Sequence, residues 1–424
     1  MKINIKTKNK GGVMMLTVLF FLVLGTFIVA GVSFMASKDI SNMNSLLSSG
    51  SNFYVAESGI EDAVYRLKYG LPLSSNTIVL DGKSATVTVS TSTSSTTISS
   101  LSSTNNFYKK IQVGVSAGSG VAFNYGIQAG ASGFNISGGS TVNGNVYSNG
   151  SIVGIDGVHI TGTAIAAGAS TIGGATWAGG INIGSSGVGN AWARNVVGAK
   201  VAGSLYCTTG SNNNKSCDKS KGDAPSVSLP YTDQNITDWK NAAAAGGTIS
   251  GNYSVDWDGD TLGPKKITGS LTVNGGGTLV LTGPLWVVGN ITVNGGGKIV
   301  LPAAYAKSSE TIVSDGLINL SGGSNTGSGA TSSYLFFVTT NSSVGKTDCS
   351  GTYAITVTGG AGTIAINAQN GGISLTGDAS LNAATAKYIC MSGGSDVVYD
   401  QGLASPYFVS GPKGGYAITS WGEL

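Results

Sequence analysis

Apolar side chains fall along this chain in three rhythms, and each predicts a different kind of element. From residue 11 to residue 37 there is no ionisable side chain. Residues 13–32 read VMMLTVLFFLVLGTFIVAGV, apolar throughout except for Thr17, Gly25, Thr26 and Gly31. At about 1.5 Å per residue such a helix crosses a hydrocarbon layer about 30 Å thick. From 38 to 69 there is no Pro, and the spacing becomes helical: Ile40, Met43, Leu47 and Tyr54, then Phe53, Ala56, Ile60, Val64 and Leu67. Gly70 and Pro72 end the pattern, as a C-terminal Gly and a following Pro do. Together the two stretches predict one helix from Val13 to Tyr69, about 85 Å long at that rise. Only its first part fits in lipid. The rest has to lie on a partner or on this chain's own head, because isolated exposed helices are marginal in water.

The second rhythm has period two and predicts strands over 74–118. Ile78-Val79-Leu80 and Ala85-Thr86-Val87-Thr88-Val89 flank Asp81-Gly82, a hairpin signal, and Lys110-Ile111-Gln112-Val113-Gly114-Val115 alternates polar and apolar. Residues 90–104 hold thirteen Ser or Thr in fifteen positions, which reads either as a flexible linker or as strand-loop-strand laid over the helix.

The third rhythm begins near Gly120, where Gly, Asn, Ser, Thr and β-branched residues take over. Leu271-Thr272-Val273-Asn274-Gly275-Gly276-Gly277-Thr278-Leu279-Val280-Leu281 matches Ile291-Thr292-Val293-Asn294-Gly295-Gly296-Gly297-Lys298-Ile299-Val300-Leu301 at a spacing of twenty residues. A looser apolar-(Ser/Thr)-Gly unit recurs at Ile136, Ile160, Ile267, Leu281, Leu320, Val357 and Leu375. Such a period, with short strands and Gly or Asn corners in positive φ, predicts a β-solenoid. A β-sandwich is the alternative, since its turns also recur closely. After Pro230, residues 232–245 place Ile236, Trp239, Ala242 and Ala243 on one face behind a Thr or Asp cap, with Gly246-Gly247 at the end. This is a helix, read as a cover or hinge between two solenoid parts. The expected fold is mainly β: a long N-terminal α-helix, a small antiparallel sheet and a right-handed β-helix or β-solenoid head. The boundaries are a leader at 1–12, the helix at 13–69, the sheet at 70–118, solenoid parts at 119–229 and 248–424 (the latter with a C-terminal tail), and the covering helix at 230–247.

Charge narrows the function. Charged residues are only 10% of the 424, and the formal net charge is +3. Without Lys2, Lys6, Lys8 and Lys10, 19 basic residues face 20 acidic ones, a net of −1. No basic surface remains to attract nucleic acid. Those lysines hold the N-terminus in the cytoplasm and place everything after Lys38 outside. The apolar run is too long for a cleaved signal peptide, and Ala36-Ser37-Lys38 is a poor exit.

The leader Lys10-Gly11-Gly12 followed by Val13-Met14-Met15-Leu16 resembles a type IV prepilin leader, and residues 54–63 (YVAESGIEDA) are similar to the second half of the long helix in minor pilins and pseudopilins. The resemblance covers about residues 7–69. It implies cleavage between Gly12 and Val13 by a prepilin peptidase, with methylation of the new amino group. Most such pilins carry glutamate at the fifth mature position, paired with the N-terminal ammonium of the subunit above; here that position is Thr17. A buried carboxylate without its partner is costly, so a subunit with none above it is better without the charge. The resemblance thus implies a minor pilin-like or pseudopilin-like structural subunit, not an enzyme, at the tip or initiating position of a filament. Its partners would be other pilin-like subunits and the membrane. Its head would be displayed at the cell surface for adhesion to a surface polysaccharide or host-cell ligand. The rivals are a membrane-anchored β-helix carbohydrate-active enzyme and an anchored adhesin outside any filament.

Candidate chemistry elsewhere is sparse. Cys207, Cys217, Cys349 and Cys390 lie on the expected outer side, where an even number favours disulfides, with Cys207–Cys217 closing a polar loop and Cys349 left for Cys390. There is no C-x-x-C, and His159 is the one histidine, which speaks against zinc and gives a catalytic triad a single candidate base. Asp256, Asp258 and Asp260 offer the hard oxygen ligands Ca²⁺ takes, but their order departs from the EF-hand, and a solvated turn is the alternative. Tyr253, Trp257, Trp286 and Tyr305 are candidates to stack on sugars or to pack in the core. No other cofactor is expected.

Overall fold

The structure is a computed structural model. It describes residues 11–68, 76–91, 96–104, 107–117, 121–174, 180–305, 308–322, 326–327, 333–359, 362–404, 406–408 and 416–423. The leader lysines, Gly70, Pro72 and residues 92–95 of the Ser/Thr-rich stretch lie outside the described residues. The chain forms two compact units, and the second, Ala117–Ala417, is inserted in sequence before the last strand of the first.

The first unit is built on α1, one uninterrupted helix of 58 residues, Gly11–Lys68. Its N-terminal part is long and apolar enough to cross a membrane, with mean hydropathy 2.6 and nothing of it buried in the chain. Its C-terminal part packs one face on an antiparallel sheet. Asn52, Val55, Ala56, Ile60 and Ala63 are buried, a spacing of three and four that lays them in a single stripe. Of the expected stripe, Ala56 and Ile60 are buried, whereas Phe53 and Val64 are half-buried. The seated face is rotated toward Asn52, whose Nδ2 donates to Phe107 O at 3.0 Å and whose Oδ1 accepts from Ser102 Oγ at 3.4 Å.

The sheet runs Asn76–Leu80, Lys83–Thr91, Thr96–Thr104 and Phe107–Ala117 in sequence order, with Tyr416–Glu423 beside the last. Asp81 and Gly82 turn the first hairpin with φ of 49° and 72°, and Leu80 pairs Lys83. Both central residues in positive φ match the right-handed strand twist. The described part of the Ser/Thr stretch is strand, ending Lys83–Thr91 and forming Thr96–Thr104, in which Ile98, Ser100 and Ser102 alternate inward. The C-terminal tail is corrected as well, because its last strand belongs to this sheet and not to the solenoid. Gly114 N donates to Ser420 Oγ at 3.2 Å, and Lys109 pairs with Glu423.

The second unit is a three-faced β-solenoid. Strands of mostly two to four residues, with longer ones such as Ser308–Ser314 and Ala383–Met391 near the middle of the stack, run in parallel on each face. Ile127, Val146, Ala164, Ala191 and Leu205 follow one another up the first face, and Phe134, Ile152, Ile172 and Val196 follow up the second. In the C-terminal half the twenty-residue repeat is a true coil repeat: Leu271 pairs Ile291, and Thr278 pairs Lys298. All seven apolar residues of the apolar-(Ser/Thr)-Gly unit lie at the last or next-to-last position of a strand and are at most 1% exposed.

The two halves are not two solenoids about a hinge. The last C-terminal coil pairs in parallel with the first N-terminal coil on all three faces: Ala384 with Ile127, Ile389 with Phe134 and Asp396 with Thr141. One continuous stack results, entered by the chain at its middle. The chain builds up to Ser211 and returns along the outside. It then restarts at Thr248 and climbs to Val398, where it meets its own beginning; Phe123 N donates to Leu403 O at 2.9 Å, and Tyr399 Oη to Phe123 O at 2.6 Å.

The returning segment carries α2, Asp233–Ala245, with Thr232 and Asn235 in a reciprocal capping box. It covers the outer side of the first face. Ile236 and Trp239 pack with Tyr231, Phe123, Val313, Phe336, Val338 and Phe408. This second apolar layer explains why Leu335–Thr339 is buried at all five positions instead of alternating. Asn149 makes two hydrogen bonds to the backbone of Val227, at 2.7 and 2.9 Å, and holds the return in place.

Corners divide their work between Gly and Asn. Gly275, Gly276, Gly295, Gly296, Gly322 and Gly377 take φ of 55–80°. Asn takes positive φ at one described corner, Asn212 with φ 55°, and at others it bridges coils instead. Asn252 Oδ1 accepts from Ser270 N at 2.9 Å, and Asn290 Oδ1 from Leu317 N at 2.8 Å. The Gly immediately before each donor (Gly269 and Gly316) must lack a side chain there, since a Cβ would sit 2.4 and 2.3 Å from those oxygens. Amides thus satisfy the backbone where charge is absent.

Candidate functional site

The most extensive exposed apolar surface is α1 itself. Met14, Leu16, Phe20, Phe21, Phe27, Val29 and Phe34 are all at least 60% exposed. In water such a surface is unfavourable; in lipid or among other helices it is not. The two hydroxyls in the span are bonded to their own helix: Thr17 Oγ1 donates to Met14 O at 2.9 Å, and Thr26 Oγ1 to Val23 O at 2.7 Å. Position 17 therefore brings no charge and no unsatisfied hydroxyl into an apolar phase. Gly12 and Val13 lie in the first turn of the described helix.

Both cysteine pairs are disulfides. Cys207–Cys217 closes residues 208–216, with Cα atoms 5.1 Å apart, and Cys349–Cys390 ties a loop to the strand Ala383–Met391, with Cα atoms 5.3 Å apart. The expected carboxylate site does not assemble. Asp256 and Asp260 bracket a turn closed by Gly259 N donating to Asp256 O at 3.0 Å. Asp260 is engaged by Tyr253 Oη and by Thr261 N at 2.7 Å. No group of three or more His, Cys, Asp or Glu placed to hold a metal ion occurs among the described residues. The hydrogen bond from Tyr253 and then that from Thr261 lower the Asp260 carboxyl; burial, ahead of Asp260, pushes the Tyr253 hydroxyl up to about 12.

Three of the four candidate aromatics are engaged within the chain. Tyr253 donates to Asp260, and Tyr305 Oη to Glu310 Oε2 at 3.2 Å. Trp286 Nε1 donates to Asp315 Oδ2 at 2.8 Å, with Lys266 3.8 Å and Lys240 5.4 Å from its ring centre. Trp257 is 82% exposed beside the Gly275-Gly276 corner. Sequence reasoning missed the node at Asp315, which accepts from Lys240 at 2.5 Å, from Trp286 and from Thr340 at 2.8 Å, and so pins α2 to the coils. No motif announces it, because its members come from four separate segments. Burial disfavours the charged form of Asp315, yet these hydrogen bonds and the Lys240 charge outweigh it and hold the carboxyl below its ordinary value. His159 sits on an outward strand position and donates from Nε2 to Gly184 O at 3.1 Å.

No protein-family model and no curated protein matches the chain. Among solved structures it is similar to the competence-associated pilin ComZ from Thermus thermophilus, at 12% identity and a TM-score of 0.29, over 89% of this chain and 97% of that one.

Proposed function

We propose that the chain is a pilin-like structural subunit. The exposed apolar part of α1 packs among the helices of sister subunits in the membrane and in a filament, and the solenoid head is carried outward as cargo. The observation that supports this most is the division of labour along one unbroken helix: an N-terminal part with no ionisable side chain and no cover, and a C-terminal part seated on an antiparallel sheet. A plain membrane anchor needs only the first. An uncharged, self-satisfied Thr17 suits the tip or initiating position, where no subunit above supplies an ammonium. Cleavage between Gly12 and Val13 by a prepilin peptidase belongs to this reading, as does a structural rather than catalytic role. A photo-crosslinking residue at Phe20 or Phe27 is expected to link the chain to other pilin-like subunits in native membranes; adducts with lipid alone would overturn the reading.

A further inference from the structure

We propose that the third face of the upper coils carries a binding cleft for a linear acidic polysaccharide. This rests on the display role given above and names a ligand for it. The cleft holds about 530 Å³. Its floor is a row of outward side chains on consecutive strands, His159, Asn182 and Lys200, each paired in register with the next. Parallel strands are about 4.8 Å apart, a step close to the length of one pyranose ring, so the row presents one polar group per sugar.

The walls are built. On one side Gly184 and Ser185 enter a tight turn in which Ser185 N donates to Val188 O at 3.0 Å and Val188 N returns to Ser185 O at 2.9 Å. On the other stands the loop closed by Cys207–Cys217. Its Asn213 and Asn214 complete the backbone hydrogen bonding of the topmost coil: Asn214 Oδ1 accepts from Val201 N at 2.9 Å, and Asn213 Oδ1 from Ala199 N at 2.9 Å. Lys215 Nζ donates to Ala202 O at 2.7 Å and Gly203 O at 2.6 Å. The ammonium is thereby fixed in the cleft with one of its three donors left over.

The electrostatics favour an anion. Lys200 is exposed, with no hydrogen bond or ion pair among the described residues, and no acidic side chain lines the cleft. Lys200 and Lys215 both line the cleft, and no carboxylate is among its lining residues, in a chain of which only 10% is charged. Asn182 Nδ2 donates to Gly157 O at 3.0 Å and Asn214 Nδ2 to Val201 O at 3.1 Å, so the Asn182 Oδ1 and the Ser185 hydroxyl are the groups that face sugar hydroxyls. Two ammonium groups are too few to hold nucleic acid, whose affinity comes from many phosphate contacts.

The test is calorimetric titration of the detergent-solubilised full chain with polygalacturonate, its methyl ester, inorganic polyphosphate and duplex DNA. Polygalacturonate is expected to bind most tightly. Lys200→Glu is expected to weaken it by about tenfold or more, the loss of a charge-assisted contact. Lys298→Glu, an exposed lysine outside the cleft, is expected to leave it unchanged. Failure of polygalacturonate to bind, equal binding of the ester, tighter binding of polyphosphate or DNA, or an unaffected Lys200→Glu variant overturns the proposal. Crosslinking of α1 to sister subunits reads the filament role separately, so either can fail without the other.

Discussion

Gly50 and Gly59 lie on the same helix, and the structure assigns opposite outcomes to the same substitution at the two. In a helix interior Ala is favoured over Gly by about 1 kcal/mol. A Cβ at Gly50 meets nothing within 4 Å, so Gly50→Ala should realise that gain. At Gly59 a Cβ would sit 2.4 Å from Ser100 Oγ and 2.9 Å from Val87 Cγ2. Those residues are 0% and 2% exposed and pair directly across two strands, so neither has room to retreat. Overpacking of this kind costs about 1–3 kcal/mol. Gly59→Ala is thus expected to be net destabilising by up to about 2 kcal/mol once the helix gain is subtracted. Ser100→Ala removes the nearest obstacle, a buried hydroxyl with no hydrogen-bond partner in the structure. The double variant should recover much of the loss, with a coupling of about 0.5–2 kcal/mol. Hydrogen exchange of the amides of residues 55–66 in the detergent-solubilised chain reads the local opening free energy. Slower exchange in both single variants, or no coupling to Ser100, would show that α1 is not seated on the sheet at Gly59.

Other consequences are as direct. Cysteines placed at Thr141 and Asp396, neighbours on adjoining coils, should be joined within one chain by a short bismaleimide; two separate solenoids would leave them unlinked. By loop-closure entropy, opening Cys349–Cys390 (separation 41) should cost about 4 kcal/mol and opening Cys207–Cys217 (separation 10) about 3 kcal/mol. Denaturant midpoints of Cys→Ser pairs check that order, and the reverse order contradicts it. Asp315 has a lowered folded pKa, so its stabilising effect is present above the ordinary carboxylate range and is lost as pH falls through the folded value. Asp315→Asn should flatten the acid limb of thermal stability; an unchanged limb means the node does not hold α2.

What the sequence disclosed and what it hid follow from how local each signal is. Asp81-Gly82 specifies its turn in two residues, and the Leu271 and Ile291 repeats stack because each carries the same coil. The coil that follows Val398 in space begins near Ile127, and no local pattern or repeat joins segments so far apart. α2 was legible from its cap and spacing, but its destination was not: the apolar run at 335–338 signals burial on both sides without naming what covers the outer one. The strand Tyr416–Glu423 lies beside Phe107–Ala117, with the whole inserted unit between them in sequence, and no local pattern joins residues so far apart. The cleft wall carries no sequence signal because Asn213, Asn214 and Lys215 act through backbone contacts that only the finished coil provides.

The filament role turns on whether the helix is exposed to its neighbours as a processed rod. Intact-mass and N-terminal peptide mass spectrometry of the chain purified from its native membrane decides this. The expected product lacks residues 1–12 and begins with an N-methylated Val13. A chain that retains Met1 and its lysine leader would contradict the pilin-like reading and leave α1 as a simple anchor.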